Sequence, residues 1–413
     1  MKKVDCLALV LLVMIVYSCG IATKKENDMN AYEKVTFGYD LQYISRTDNP
    51  IVLTGDNGKA QIIVSANYQA KVFTSTVDGL SGKSLGYVGY KALDAETFDE
   101  HMNTYGGENR FWLGPEGGQY SVYFAPGKEQ VYNNWHTPKP IDIEPWEVVG
   151  SDRKRVDFIK QMEVANYLGT RLTLRVDRTI ELLETPQASR MLGVEIEPEL
   201  GVVAYMTHNT VTNLNDFEWT KETGTICIWM LDMFNPAPEA VTVIPFVEGS
   251  EAELGKIATT DYFGEIPDDR LQIREGVLYL KTDGRFRSKL GLNGKRVKPV
   301  AGNYDPDAKR LTIVMFDVDK DATYLNQEWN PAKDPLTGDA MNAYNDGPLD
   351  DGSIMGPFFE LESVSPAAFL RPNESLSHQH AVFNFAGEEA QLTKITEKLL
   401  GVSIQEIKSV FLP

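Results

Sequence analysis

The sequence predicts a large antiparallel all-β domain with a few short helices and a C-terminal helix. Three observations carry this expectation. Short β-rich runs recur from Val35 onward, most of them bounded by Gly, Pro, Asn or Asp. Helical patterning is confined to brief stretches. No Pro/Ser-rich linker and no repeat of solenoid or propeller period divides the chain, so residues 35–413 read as a single domain. With 42% hydrophobic residues it can bury a large core.

At the N-terminus, Lys2 and Lys3 precede an apolar run from Leu7 to Val16, and Ser18-Cys19-Gly20 closes it. This layout resembles the signal and lipobox of bacterial lipoproteins. The run is shorter than the ~20 apolar residues that span a bilayer, which disfavours a membrane anchor. The expectation is removal of residues 1–18 and acylation, as by palmitate, at Cys19. An ordinary cleaved signal is the alternative. The membrane would be touched through the lipid only, at the bacterial cell envelope on the outer membrane, with its periplasmic and surface faces both open. Residues 19–34 are the lipidated end and a polar, aperiodic spacer.

Cysteine usage and charge narrow the class. Cys6 leaves with the signal, Cys19 is the acylation site, and Cys227 stands alone in a strand-like apolar context. No internal disulfide is then possible, and Cys227 reads as a small buried hydrophobe. The chain carries 40 basic and 59 acidic residues, a formal charge of −19; losing Lys2, Lys3 and Asp5 makes it −20. Such acidity excludes nucleic-acid partners.

Strands are expected at Gln61–Ser65, Tyr120–Phe124, Arg171–Val176, Val241–Phe246 and Leu311–Phe316. The Arg171–Val176 run alternates cleanly and should bury one face. Helices are expected at Ala95–Asn103, Pro186–Met191 and Glu388–Leu400. The last places Leu392, Ile395 and Leu399 on one side, with Gly401 as its stop.

The P-loop, H-E-x-x-H and C-x-x-C signatures do not occur. Asp317, Asp319, Asp321 and Glu328 hold positions of a calcium loop, but Ala322 stands where its sharp turn needs glycine. The segment reads as an acidic solvated turn, with a less regular calcium loop as the alternative. No other cofactor and no other metal is expected.

Three segments concentrate polar groups, aromatics and glycine. In Gly106–Gly118, Asn109, Arg110 and Glu116 supply directional donors and acceptors, and Trp112 is either a stacking platform for a sugar ring or a core residue. A tight hairpin with Arg110 paired to Glu116 is the plainer reading. In the second, Trp329 precedes Gly338–Pro348, where Asn342, Tyr344, Asn345 and Asp346 form either part of a sugar cleft or a long self-capped loop. The third runs from Gly356 to His380. Alternation sets Glu360 and Glu362 on one strand face, where two buried unpaired carboxylates would be costly. His378 and His380 share a face as a metal pair, a sugar-binding pair or edge-strand residues.

GGENRFWLGPEGG at Gly106–Gly118 resembles the N-R-x-W-x-x-P-E segment of galactose-mutarotase-like proteins. Tyr205–Asn213 followed by Thr223–Pro236 is similar to their central strand pair, and Phe358–Phe385 to their closing strands. The resemblance implies the β-supersandwich of aldose 1-epimerases and related bacterial lipoproteins, the chain looking closest to the lipoproteins. It implies a general base at Glu362, with Glu360 in contention. The family's middle-strand histidine acid has no counterpart, leaving Asp232 or His208 as substitutes. The combined expectation is an exported lipoprotein that binds a sugar or oligosaccharide without mutarotase turnover. The alternatives are an epimerase, lyase or hydrolase variant using Glu362, and a structural envelope protein.

The anchor is directly testable. Mass spectrometry of the mature protein is expected to find an acylated Cys19 at its N-terminus, and Cys19→Ala to release soluble protein. An unmodified N-terminus elsewhere would contradict the assignment.

Overall fold

The computed structural model describes residues 32–349 and 352–412; the signal, Cys19 and most of the spacer lie outside them. Eighteen strands are described. The first nine are β1 (Ile51–Thr54), β2 (Gln61–Ser65), β3 (Lys71–Thr76), β4 (Arg110–Gly114), β5 (Glu147–Ser151), β6 (Arg155–Ala165), β7 (Arg171–Leu183), β8 (Gly201–Asn213) and β9 (Cys227–Phe234). The others are β10 (Val241–Pro245), β11 (Leu271–Arg274), β12 (Val277–Lys281), β13 (Ser288–Leu292), β14 (Val300–Asp305), β15 (Arg310–Phe316), β16 (Met341–Asn345), β17 (Phe359–Val364) and β18 (Ser375–Ala386). All pair antiparallel, in a three-stranded sheet β1-β2-β3, a ten-stranded sheet β11-β12-β10-β14-β15-β18-β8-β7-β6-β5, and a five-stranded sheet β13-β16-β17-β9-β4. The expected all-β class is what the chain adopts.

Alternation decides what each face buries. On β7 the even positions Leu172, Leu174, Val176, Arg178, Ile180 and Leu182 turn inward. On β8 and β18 the inward set includes Tyr205, Val211 and Val382. The opposite face presents Ala204, Ala381, Phe383 and Phe385 to a helix over Glu389–Leu400. That helix contributes Leu392, Ile395 and Leu400, each such burial worth ~1.5–3 kcal/mol, and Gly401 ends it at φ 77°. The helix over Thr185–Leu192 matches the expected one.

Two expected elements are absent. Ala95–Asn103 is irregular, with only a short helix at Tyr90–Leu93 ahead of it. There the Asp99 carboxylate accepts from the backbone N–H groups of His101 and Met102, so a side chain takes the donors a helix needs. Tyr120–Phe124 is also irregular, because Ser121 bonds its neighbours' backbone and only Phe124 makes a bridge, to Trp135. The Tyr205–Asn213 and Cys227–Phe234 strands do not pair; they belong to different sheets that face each other across the core.

Between these sheets runs a buried polar seam. Arg178, fully buried, donates from Nε to the Ala70 carbonyl at 2.9 Å, from Nη1 to Asn209 at 2.5 Å and from Nη2 to Asn109 at 2.6 Å. Asn109 donates to Asp232 Oδ1 at 2.8 Å, and Asp232 Oδ2 meets His380 Nε2 at 2.6 Å. His380 Nδ1 and His378 Nε2 both lie 2.8 Å from the Ser363 hydroxyl. Buried polar groups are tolerable only when paired in this way.

Burial and the neighbouring His380 push His378 from its ordinary 6.5 down to about 3. The unfolded chain therefore takes up this proton first, and the associated stability is present above about pH 6.5 and lost as pH falls toward 3. Urea titrations from pH 7 to 4 are expected to show the wild type losing stability relative to His378→Gln. Parallel pH profiles would contradict this.

Candidate functional site

The five-stranded sheet has two polar faces because its strands alternate in phase. Register aligns Arg110, Leu231, Glu362, Asn342 and Gly291 in one row across β4, β9, β17, β16 and β13. The next row is Met233, Glu360, Tyr344 and Lys289, and another holds Trp112, Trp229 and Val364. These residues share the face turned away from the ten-stranded sheet. Asn109, Asp232, Ser363 and Asn345 take the other phase.

Over the first face lies a cleft. Its inner chamber, about 100 Å³, has a floor of Arg110, Trp112, Trp229, Leu231, Met233 and Glu360. It shares Glu116, Tyr132, Phe263, Arg287, Lys289 and Trp329 with an outer chamber of about 400 Å³, within the range of ordinary ligand sites. Trp135 closes the inner wall and stacks between Tyr123, at 5.7 Å, and Trp329, at 6.1 Å. At the mouth, Tyr132 is 55% and Phe263 42% exposed, leaving aromatic faces in water. Gly117 lets the Glu116 segment pass under the Glu328 carbonyl, which a Cβ would meet at 2.3 Å. This close approach sets Glu116 in the cleft lining together with Trp329.

The charges beneath are paired. Arg110 binds Glu360, and its guanidinium lies over Trp112 at 5.0 Å. Lys289 Nζ is 3.0 Å from Glu362 Oε2, which also accepts from Trp229 Nε1 at 2.9 Å. Burial pushes Glu360 up to about 7, with Arg110 pulling the other way and Glu362 adding to the rise. Burial likewise raises Glu116, opposed by Lys289. Burial alone would lower Lys289, but Glu362, Glu116 and Glu360 together hold it above its ordinary value.

The expected site residues divide accordingly. Arg110, Trp112, Glu116, Trp329, Tyr344 and Glu360 line the cleft. Glu362 turns to the same side but lies beneath Lys289 and Trp229, and Asn342 hydrogen-bonds Tyr262 and the Leu290 carbonyl. Asp346 is buried behind Tyr344, whose hydroxyl donates to it at 2.7 Å. Asn109 and Asn345 are corrections, since adjacent strand residues cannot share a face: Asn109 joins the seam, and Asn345 holds the Gly284 N–H and the Phe286 carbonyl. Asp232, His378 and His380 are also in the seam, away from the cleft. His208 is half-buried on the opposite face of the ten-stranded sheet, its neighbours Thr207 and Asn209 pointing inward.

Pairing and local form also differ from expectation. Arg110 pairs with Glu360 rather than Glu116, and within Gly106–Gly118 the residues Arg110–Gly114 form an edge strand rather than a hairpin. Met341–Asn345 is a strand rather than a loop. His378 and His380 lie on an interior strand, not an edge. In the acidic turn, Asp317 accepts from Gln379 N and Asp321 pairs with Lys320. Among the described residues no group of three or more His, Cys, Asp and Glu is placed to hold a metal ion.

Lys289, Arg287, Trp229, Trp135, Tyr132 and Phe263 also line the cleft and were not singled out from sequence. A lysine alternating with apolar residues in Ser288–Leu292 was the one local signal.

A family model described as a family of unknown function (DUF6786) matches residues 35–411. No curated protein matches the chain. Among solved structures, the Slr1438 protein of Synechocystis sp. PCC 6803 is similar with a TM-score of 0.50 and 13% identity, over 83% of this chain and 96% of that one. A putative aldose 1-epimerase of Escherichia coli K12 has a TM-score of 0.47 and 14% identity, covering 81% and 98%. A galactose mutarotase-like protein of Lactobacillus casei ATCC 334 gives 0.46 and 12%, covering 81% and 100%.

The Arg110–Glu360 pair yields an asymmetric prediction. Glu360→Leu strands a buried guanidinium that cannot shed its proton, and should cost ~3–5 kcal/mol in urea unfolding. Arg110→Leu should cost less, because Glu360 can take a proton, and the double variant should recover most of the loss. Equal costs for the two single variants would contradict this.

Proposed function

The chain belongs to this family of unknown function, and we propose that it binds carbohydrate in the cleft above the five-stranded sheet. The observation that carries this reading is the cleft's composition. Trp112, Trp135, Trp229 and Trp329, with Tyr132 and Phe263 at the rim, surround the ionic groups of Arg110, Glu116, Lys289 and Glu360. Sugar rings present apolar C–H faces and an equator of hydroxyls, so they need flat aromatic platforms beside fixed donors and acceptors. Three residues that line the cleft each carry a buried polar atom with no partner among the described residues: Arg110 Nε, Trp135 Nε1 and Gln327 Nε2. Such atoms are costly unless a ligand or water satisfies them.

Binding without mutarotase turnover is the form we favour. Among the described residues lining the cleft there is no histidine, and Glu362 is engaged by Lys289 and Trp229. A catalytic reading draws on a different carboxylate: Glu360 faces the chamber and titrates near neutrality, as a general acid or base requires. With the lipobox-like leader, the cleft would be displayed from a lipid tether at the cell envelope.

A panel of neutral and acidic oligosaccharides, tested by calorimetry with polarimetry alongside, separates these readings. The expected result is binding without faster anomer exchange. Trp329→Ala should weaken it by about 2- to 12-fold, the worth of one aromatic contact. Exchange that disappears in Glu360→Gln would establish the catalytic reading, and an absence of binding to any glycan would end both.

A further inference from the structure

The cleft's cations are not equivalent. Arg110 and Lys289 are each committed to a glutamate. Arg287, immediately before β13, lies in both chambers and has no carboxylate within ion-pair distance among the described residues. Its guanidinium carbon stacks 3.7 Å from the centroid of Phe263, and its Nε donates to the Tyr344 hydroxyl at 3.3 Å. That hydroxyl in turn donates to Asp346, which the Gly356 N–H also holds, at 3.0 Å. Phe263 stands edge-on to Tyr344 at 6.0 Å. The guanidinium plane is thus fixed on one side by an aromatic face and on one edge by a hydrogen bond. Its two terminal nitrogens have no hydrogen-bond partner among the described residues.

Among the described residues this oriented guanidinium has no ion-pair partner, although its charge acts on Asp346 and Glu116, in a chain with 59 acidic and 40 basic residues. The nearby donors point the same way: Trp135 Nε1 and Gln327 Nε2 also lack acceptors, and Gln327 is fixed because its Oε1 takes the Glu116 N–H at 3.0 Å. We propose that the cleft selects carbohydrates bearing a carboxylate, such as uronic acids, and that Arg287 receives that carboxylate through its two free terminal nitrogens. This selectivity rests on the carbohydrate reading of the cleft and names its substrate class. A planar fork matches a carboxylate in bidentate fashion, and Phe263 shields the pair from water on one side.

The test is calorimetry of the full chain in detergent against matched oligosaccharides: oligogalacturonate and its neutral galactan counterpart, oligoglucuronate and its neutral glucan counterpart, and a sulfated galactan. The uronate member of a pair is expected to bind at least 10-fold more tightly, with the advantage shrinking as salt rises. Arg287→Met should remove that advantage, read as the ratio of uronate to neutral-sugar affinity on the same variant, and Arg287→Lys should restore only part of it. Neutral sugars binding as well as uronates would overturn the proposal and leave the carbohydrate cleft standing. A preference for the sulfated glycan would overturn the carboxylate assignment, and no binding to any member would remove the carbohydrate reading beneath it.

Discussion

One buried guanidinium ties the three sheets together. Arg178 sits on an inward position of β7, in the ten-stranded sheet, and holds the carbonyl of Ala70 just ahead of β3. Through Asn109 and Asp232 it reaches β9 of the five-stranded sheet. Burial pulls its pKa down, so the site depends on surrounding dipoles and the Asp232 charge to keep it satisfied. Apolar packing alone is non-directional and could let facing sheets slide. A fork with three fixed acceptors cannot accommodate such a slide without losing hydrogen bonds. The placement of β4, and with it Arg110 and Trp112, follows from this constraint.

The same strands serve two chemistries because of the period-two geometry of an extended chain. One phase of β9 and β17 supplies Asp232 and Ser363 to the interior seam. The other supplies Trp229, Glu360 and Glu362 to the cleft side. A rigid, hydrogen-bonded interior behind the cleft floor limits rotamer freedom on its far side. The ion pairs of Arg110 and Lys289 are then held by backbone register rather than by side-chain adaptation, and a ligand meets groups already in position.

Much of this was legible in the chain. Short β-rich runs bounded by turn residues gave β2 its bounds and located much of β7, β10 and β15, and alternation put Glu360 and Glu362 on one face. The C-terminal helix was equally clear from its apolar stripe and its glycine stop. What sequence could not supply was parity across strands. Gly106–Gly118 was weighed as a tight hairpin and Gly338–Pro348 as a loop, where neighbours can converge; extended backbone sends Asn109 and Asn345 the opposite way from Arg110 and Tyr344. His378 and His380 looked like a ligand pair because two imidazoles on one face suggest chemistry, yet the face they share is an interior one. Arg287, Lys289, Trp135 and Trp229 come to the cleft from segments far apart in sequence, so no short window contains their association. Asp99 and Ser121 show the other failure: single side chains captured backbone donors and dissolved elements that hydrophobic patterning favoured.

The distribution of tryptophan has a spectroscopic consequence. Of the six indoles in the chain, Trp112, Trp135, Trp229 and Trp329 border the cleft, while Trp146 and Trp219 are set in the core. Trp112 lies 5.7 Å from Trp229 and 6.5 Å from Trp135, and Trp135 lies 6.1 Å from Trp329. At such separations excitation passes readily from ring to ring and collects where the surroundings are most polar. The ultraviolet emission of the whole protein is therefore weighted toward the cleft mouth, where Trp329 borders water. The chain carries its own optical gauge of that cavity's wetness, with no added label.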